Sequence, residues 1–302
     1  MENFNQISSL LELVTRKLIW YLNYYSIEQL LFLPITIKDV IRVKALRRLS
    51  NLSSNKFSAL LHDEVLSIEL SFLKEVNQEH VKALEQTPKL VSLNLSNLII
   101  QNCDRSYDVG NEQCCFYCTS VSVQLRRSLS SLTSLVRLDL SHAKSIVNDE
   151  VVLTVCKNSR NLQQIELDTC SKVTDASIAS LVTSSIDTNQ EGILGLASLS
   201  VLRCLGLAGT SVSDDGLLKL STFTKSFSSL KELNLNKCQK IGDQGILKVL
   251  DTFDNLEIMS FSHCKNVSMV SVNRLSEYFE DKRTSRNNEG PNNMKQISFS
   301  IW

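Results

Sequence analysis

Short runs with apolar residues at alternate positions recur along the chain, each followed by a stretch where they return every three or four residues. The run apolar-x-x-apolar-x-apolar starts at Val65, Leu90, Leu135, Leu162, Leu202, Leu230, Leu256 and Met294, with spacings of 25, 45, 27, 40, 28, 26 and 38 residues. Four of the seven spacings fall at 25 to 28, the length of one strand–turn–helix unit in a repeat protein. The other three are lengthened by inserts near 101–120, 184–199 and 282–293. Alternation, as in LVRLDL from Leu135 or LKELNL from Leu230, predicts a short strand with one face buried. The spacing of Leu217, Leu220 and Ser221, or of Ile246, Val249 and Leu250, predicts a helix with one buried stripe.

Eight positions after the first apolar residue of a strand stands a small residue: Cys170, Cys238 and Cys264 in three units, Ala143 and Thr210 in two others. Thiols fit there as small hydrophobes with a weak donor for loop carbonyls. Then come Val173-Thr174-Asp175, Val212-Ser213-Asp214 and Ile241-Gly242-Asp243. These read as helix starts: a side-chain oxygen accepts an amide hydrogen of the coming helix, and the carboxylate favours the positive end of its dipole.

One such unit cannot enclose its own apolar face, so the units are expected to stack. The predicted fold is an α/β solenoid over 61–302, a horseshoe arc of about eight strand–helix units with parallel strands on the concave face and helices outside. The run Ile297, Phe299, Ile301 and Trp302 reads as its last strand. Residues 1–60 read as a helical N-terminal cap. Ser9 and Glu12 form a capping-box pattern ahead of a stripe of Leu10, Leu13, Val14, Lys17, Leu18, Tyr21 and Leu22. A second helix follows Leu33-Pro34, with Thr36 as its cap, Ile37, Val40, Ile41 and Leu46 on its apolar face, and Lys44, Arg47 and Arg48 complementing its dipole.

Composition narrows the function classes. The 302 residues include 47 Leu and 42 Ser but only nine Gly and three Pro, the skew of a repeated pattern. Lysine plus arginine equals aspartate plus glutamate at 32 each, so no summed positive field draws nucleic acid or an anionic membrane. MENFNQISS lacks the positive run of a secretory signal, and no apolar run approaches membrane-spanning length. Nine cysteines fit a reducing compartment, so the expected location is the cytoplasm, the nucleus or both.

Repeats with cysteine at the ninth position and Thr/Ser-Asp in the turn resemble the cysteine-containing subclass of leucine-rich repeats, common in substrate receptors of cullin ubiquitin ligases. The segments LPITIKDVIRV from Leu33, LHDEVLSIEL from Leu61 and MKQISFSIW from Met294 are further similar to the antagonist of mitotic exit network family. The resemblance implies a protein without catalytic residues that recognises another protein, in a family often associated with ubiquitin ligases. The chain departs from the pattern at the cysteine-bearing insert 101–120, at Val147-Asn148-Asp149 and at Ser268-Met269.

Candidate sites follow from both readings. The concave face takes Ser67, Glu69, Ser92 and Asn94, then Arg137, Asp139, Gln164, Glu166, Asp168, Glu232, Asn234, Asn236, Ser260 and Ser262. Five carboxylates against one arginine favour a basic segment of a protein partner; a merely solvated face is the competing reading. Leu10, Val14 and Leu18, followed by Leu33 and Pro34, are similar to an elongin-binding helix and the cullin-contacting box after it, although Val14 stands where a cysteine is usual. Helix-in-groove docking needs apolar anchors at this spacing; a cap packed on the first repeat needs them equally. Leu33-Pro34 also fits the start of an F-box, but no Cys-x-x-Trp-like half follows. Cys103, Cys114, Cys115 and Cys118 are the clustered candidates for a metal, but with one Cys-x-x-Cys pair the competing reading is a loop with free thiols. No phosphate loop or nucleophile elbow is present and the four histidines are scattered. The chain is therefore expected to be non-enzymatic and to need no cofactor. Its expected role is a substrate receptor that holds a target and recruits a ligase adaptor and cullin. The alternative is a ligase-independent binder that sequesters a signalling protein such as a small GTPase in cell-cycle control.

Overall fold

The computed structural model of the chain describes residues 12–73, 75–98, 100, 116–183, 201–222, 229–287 and 298–300. The chain divides into two compact units, Met1–Ser134 and Leu135–Trp302. It is of the α/β class, built of short parallel strands alternating with helices.

In the first unit a helix over residues 12–20 (α1) precedes α2 (Ile27–Leu31), α3 (Ile35–Arg48) and α4 (Ser54–Ala59). Strands β1 (Ser67–Glu69) and β2 (Ser92–Asn94) follow, separated by α5 (Gln78–Ala83), and α6 (Phe116–Ser131) closes the unit. The two strands pair parallel, with Ile68 opposite Leu93. Buried His80 lies 2.8 Å through Nε2 from the Leu52 carbonyl oxygen, and burial pushes its pKa below the ordinary value.

Several N-terminal expectations are corrected here. On α1 the buried residues are Thr15 and Ile19, with Leu22 just beyond, while Leu13, Val14 and Tyr21 of the expected stripe face solvent. The α3 helix starts at Ile35, so Thr36 sits within its first turn and is not its cap. Pro34 precedes it with its carbonyl accepting the amides of Ile37 and Lys38 at 3.0 Å, and the fixed φ of proline suits it to a helix entry. The short helices α2, capped by a Ser26–Gln29 box, and α4 were missed; five or six residues are too few to show a period. The proposed Ser9–Glu12 box and Leu10 lie outside or at the edge of the described residues.

In the second unit six strands run parallel in chain order: β3 (Arg137–Asp139), β4 (Gln164–Glu166), β5 (Cys204–Gly206), β6 (Glu232–Asn234), β7 (Ile258–Ser260) and β8 (Ser298–Ser300). The helices between them are α7 (Asp149–Asn158), α8 (Asp175–Thr183), α9 (Asp214–Thr222), α10 (Asp243–Thr252) and α11 (Met269–Asn287). Leu138, Ile165, Leu205, Leu233 and Met259 form one in-register row at the strand centres, all buried. Helix residues such as Val151, Val155, Leu217, Leu220, Ile246 and Val249 are fully buried as well, each such burial contributing about 1.5–3 kcal/mol. The pairs β1–β2 in the first unit and β3 through β7 in the second fall in the register read from sequence. The last does not: Met259 pairs with Phe299, not Ile297. Alternation repeats every two residues, so a two-residue shift leaves the pattern unchanged. Two inserts are also shorter than expected at their helical ends. The α6 helix begins at Phe116, burying Cys118, Val121 and Leu125, and α11 continues to Asn287; residues 184–199 lie outside the described residues.

Within the second unit two ladders tie each strand–helix repeat to the next. His142, Thr169, Gly209, Lys237 and His263 all have φ of 61–64° at equivalent positions beyond a strand. The amide of the first four donates to a carbonyl of the following unit: His142 to Asp168 at 2.7 Å, Thr169 to Ala208 at 2.5 Å, Gly209 to Asn236 and Lys237 to Ser262 at 2.7 Å. A left-handed residue with a side chain costs roughly 1–2 kcal/mol, so this bond recurs where a local penalty opposes it. The next residue anchors the turn: the thiols of Cys170, Cys238 and Cys264 donate to the carbonyls of Leu140, Leu207 and Leu235 at 3.3, 3.1 and 3.1 Å. Burial pushes Cys170 up to about 12 and Cys264 to about 11, which keeps the donor proton in place.

The second ladder changes the role assigned to the helix-start carboxylates. Asp149 accepts from the amide and hydroxyl of Thr174 (2.8 and 2.7 Å) and from the amide (3.1 Å) and hydroxyl of Ser177, all in the following unit. Asp175 accepts from the amide and hydroxyl of Ser213, Asp214 from the amides of Gly242 and Gly245, and Asp243 from Ser268 and Ser271. Each carboxylate thus reaches across to cap the neighbour's helix start. Of the two departing turns, Asn148 caps its own helix α7 through the Val151 amide at 3.1 Å, whereas Ser268 takes the role of Thr174 and bonds to Asp243 of the preceding repeat. Burial opposes the charge of Asp243, but its bonds from Ser268 and Ser271 outweigh that and hold its pKa below the ordinary 3.8. Its contribution to stability is therefore complete above that value and fades as pH falls through the lower folded one. Substituting Asp149→Ala leaves two amides and two hydroxyls without their acceptor; urea unfolding should show a loss of about 2–4 kcal/mol.

Candidate binding face

The residues flanking the buried row of the second unit face away from the core. One register line runs Arg137, Gln164, Cys204, Glu232, Ile258 and a second runs Asp139, Glu166, Gly206, Asn234, Ser260. Asp168 and Asn236 stand two residues beyond their strands. Of the ten sequence candidates in this unit, seven lie on these two lines; Ser262, like Asp168 and Asn236, stands two residues beyond its strand, and it is buried. In the first unit, Ser67, Glu69, Ser92 and Asn94 occupy the equivalent positions of β1 and β2, with Glu69 3.6 Å from Arg47.

Much of the polarity is committed to the fold. Asp139 accepts the Ser141 amide at 2.9 Å, and Asp168 accepts the Ala208 amide and the Asn234 side-chain amide, both at 2.9 Å. Asn234 accepts the Ser260 hydroxyl at 3.0 Å, and Asn236 accepts the Ser262 amide at 2.6 Å. Glu166 differs, with a 3.2 Å bond from the Gln164 amide to one of its oxygens. The other oxygen lies in a notch over Gly206, where a Cβ would fall within the space held by Glu166 Oε2 and 3.0 Å from Asp168 Oδ1.

Electrostatics follows from that notch. Burial raises the Glu166 pKa to about 7; the Gln164 bond opposes this, and the charges of Asp168, Asp139 and Glu232 add to it. Burial likewise raises Asp168, against the Ala208 amide bond. Cys204 is pushed to about 11 by burial and by Glu232 beside it, so its thiol is not a nucleophile at neutral pH. Gly206 and Cys204 were not among the sequence candidates. Their unit reads LRCLGL, and the signal was a glycine at a strand position next to two carboxylates, a sign of close approach.

The remaining candidates separate. Val14 is 44% exposed and Pro34 exposed, whereas Leu18 and Leu33 are half-buried. Cys118 is buried in α6; Cys103, Cys114 and Cys115 lie outside the described residues. Among the described residues no group of three or more His, Cys, Asp or Glu could hold a metal, and no helix is long and apolar enough to cross a membrane.

Fold and face together define an α/β repeat protein whose strand row presents a polar, carboxylate-rich surface. No protein-family model matches the chain. Two curated proteins named antagonist of mitotic exit network protein 1 are homologues of it over about half its length. That of Candida glabrata is 27% identical over 172 residues, covering 52% of this chain and 33% of the relative. That of Eremothecium gossypii is 26% identical over 154 residues, covering 46% and 38%. The match thus spans only 33% to 38% of these relatives' own length. Solved structures with some likeness include the tropomodulin C-terminal domain of Caenorhabditis elegans (TM-score 0.40, 18% identity, 55% of this chain and 98% of that one). The actin-binding site 2 of leiomodin-1 has TM-score 0.36 (14%, covering 56% and 92%), and the yeast Rad7–Elc1 complex 0.34 (17%, covering 91% and 81%).

A side chain at position 206 should expel the Glu166 carboxylate from its notch. In a Gly206→Ala variant the Glu166 pKa, followed by NMR titration, should fall from about 7 toward the ordinary 4.5; an unchanged value would mean that burial over Gly206 is not its cause.

Proposed function

We propose that the chain is a non-catalytic interaction module built as a leucine-rich-repeat horseshoe, whose concave strand face holds a basic segment of a partner protein. The observation that carries this reading is the group Glu166, Asp168, Asp139 and Glu232 around Gly206, with Arg137 as the cation among the named face residues. In its most concrete form the module is the substrate-recognition subunit of a cullin-type ubiquitin ligase in the cytoplasm or nucleus. The target lies on the strand face and the N-terminal helices contact an adaptor. The cysteine-containing repeats support the ligase part, and the name shared by its homologues supports a place in cell-cycle control. Specificity then rests on complementary charge, which selects partners and speeds encounter.

Affinity purification of the full chain should bring down cullin and adaptor subunits, and Val14→Glu, at an exposed position, should lose them. Cullin in neither sample favours sequestration of a signalling protein instead. The strand face has its own test. Glu166 sheds its proton near 7, so the face gains negative charge as pH rises through that value. A lysine-rich peptide should bind several-fold more tightly above it than below, and Glu166→Gln should flatten the dependence.

A further inference from the structure

A cleft of about 310 Å3 in the first unit is lined by Glu12, Leu13 and Arg16 of α1 and by Lys44 and Arg48 of α3. Three cations share it with one carboxylate. Neither Arg16, Lys44 nor Arg48 has an ion-pair partner among the described residues. The negative end of the α3 dipole accounts for Lys44 and Arg48, one turn apart near its C-terminus. It does not account for Arg16, which comes from the middle of another helix and adds like charge to the same small space. Residues 12–48 carry seven basic side chains against three acidic ones, although the whole chain is neutral.

The cleft is bordered by apolar surface. On α1 the positions Leu13, Arg16, Lys17 and Trp20 follow one helical stripe, and Leu13 is 57% and Trp20 74% exposed. Tyr21, Tyr24, Leu31 and Phe32 are exposed further along the same unit. Single exposed apolar residues need no explanation, but here several are grouped beside a cleft of like charge, the kind of exposed patch that marks an interaction surface.

We infer that this cleft binds an acidic, leucine-containing segment of a partner protein, its carboxylates meeting Arg16, Lys44 and Arg48 and its apolar side chains packing on Leu13 and Trp20. The mode is an amphipathic segment laid on a helix pair. Like the receptor reading, the inference takes the N-terminal helices as a partner surface, but it does not require the partner to be a ligase subunit.

The test is fluorescence anisotropy with the full chain and two labelled peptides, one alternating leucine with glutamate, the other with glutamine in place of glutamate. The glutamate peptide should bind at least about tenfold more tightly, with an affinity that falls as salt is raised. Arg16→Glu with Arg48→Glu, both at exposed positions, should remove that preference and bind a leucine–lysine peptide in its place, with the thermal midpoint lowered by no more than a few degrees as an anion replaces a cation at the α3 C-terminus. Trp20→Ser should weaken both interactions. Equal binding of the two peptides, an unaltered preference in the reversed variant, or capture of anionic lipid vesicles without peptide binding overturns the inference. Cullin co-purification is read separately, so either conclusion can fail while the other stands.

Discussion

The second unit depends on carboxylates that leave their own helix to satisfy the next one. At each junction a turn must present several amides to a neighbouring chain segment where regular strand pairing has ended, and buried amides without acceptors cost about 1–3 kcal/mol each. Asp149, Asp175, Asp214 and Asp243 resolve that problem four times by the same geometry. The solution dictates the residue opposite. Ser177, Gly216, Gly245 and Ser271 fill one slot, and a Cβ at Gly216 or Gly245 would strike the facing aspartate. A serine fits where its hydroxyl becomes one more donor; a glycine fits where the approach is too close for any side chain. Because each such contact joins neighbouring units only, stability in this part of the molecule is built junction by junction.

The same economy governs the strand face. The left-handed turns after each strand and the thiols behind them consume backbone groups, and Asp139, Asp168, Asn234 and Asn236 are drawn in to cap what is left. A face that looks uniformly polar in sequence is therefore divided. Some of its side chains are structural and would cost stability if changed, whereas Glu166, Glu232, Cys204 and Arg137 project without a comparable duty. On the proposed reading selectivity for a partner falls to this second group, and Gly206 decides how deep its central member sits.

Sequence carried the strands almost completely, because a period-two pattern repeated at 25 to 28 residues leaves few alternatives, and because the cysteine and aspartate positions recur with it. It was blind to direction. Nothing in Thr174-Asp175 distinguishes a carboxylate that caps its own helix from one that caps the next, since both use the same residue at the same place; only the stacking decides. The Phe299 register was lost for the same reason that the others were found, alternation being indifferent to a shift of two. At the N-terminus the apolar residues of α1 are numerous on every side, so the stripe Leu13, Val14 and Leu18 was as plausible an inward face as Thr15 and Ile19. A buried threonine is not a signal a hydrophobic count can see. Gly206 was legible in principle, but only to a reading that asks what an absent side chain makes room for.

Neutrality of the whole chain conceals two local fields of opposite sign, one within each unit. In the second, burial of Glu166 over Gly206 has a consequence for binding that surface charge alone would not. An exposed carboxylate must shed water when a cation arrives, and that cost offsets most of the Coulomb gain. Glu166 has already lost part of its hydration to the fold, which is why its proton is held to about 7. The desolvation is borne by folding. On the proposed reading an arriving lysine or arginine therefore finds Glu166 poorly satisfied in its absence, unlike the hydrogen-bonded Asp139 and Asp168, and its own charge restores what the notch removed.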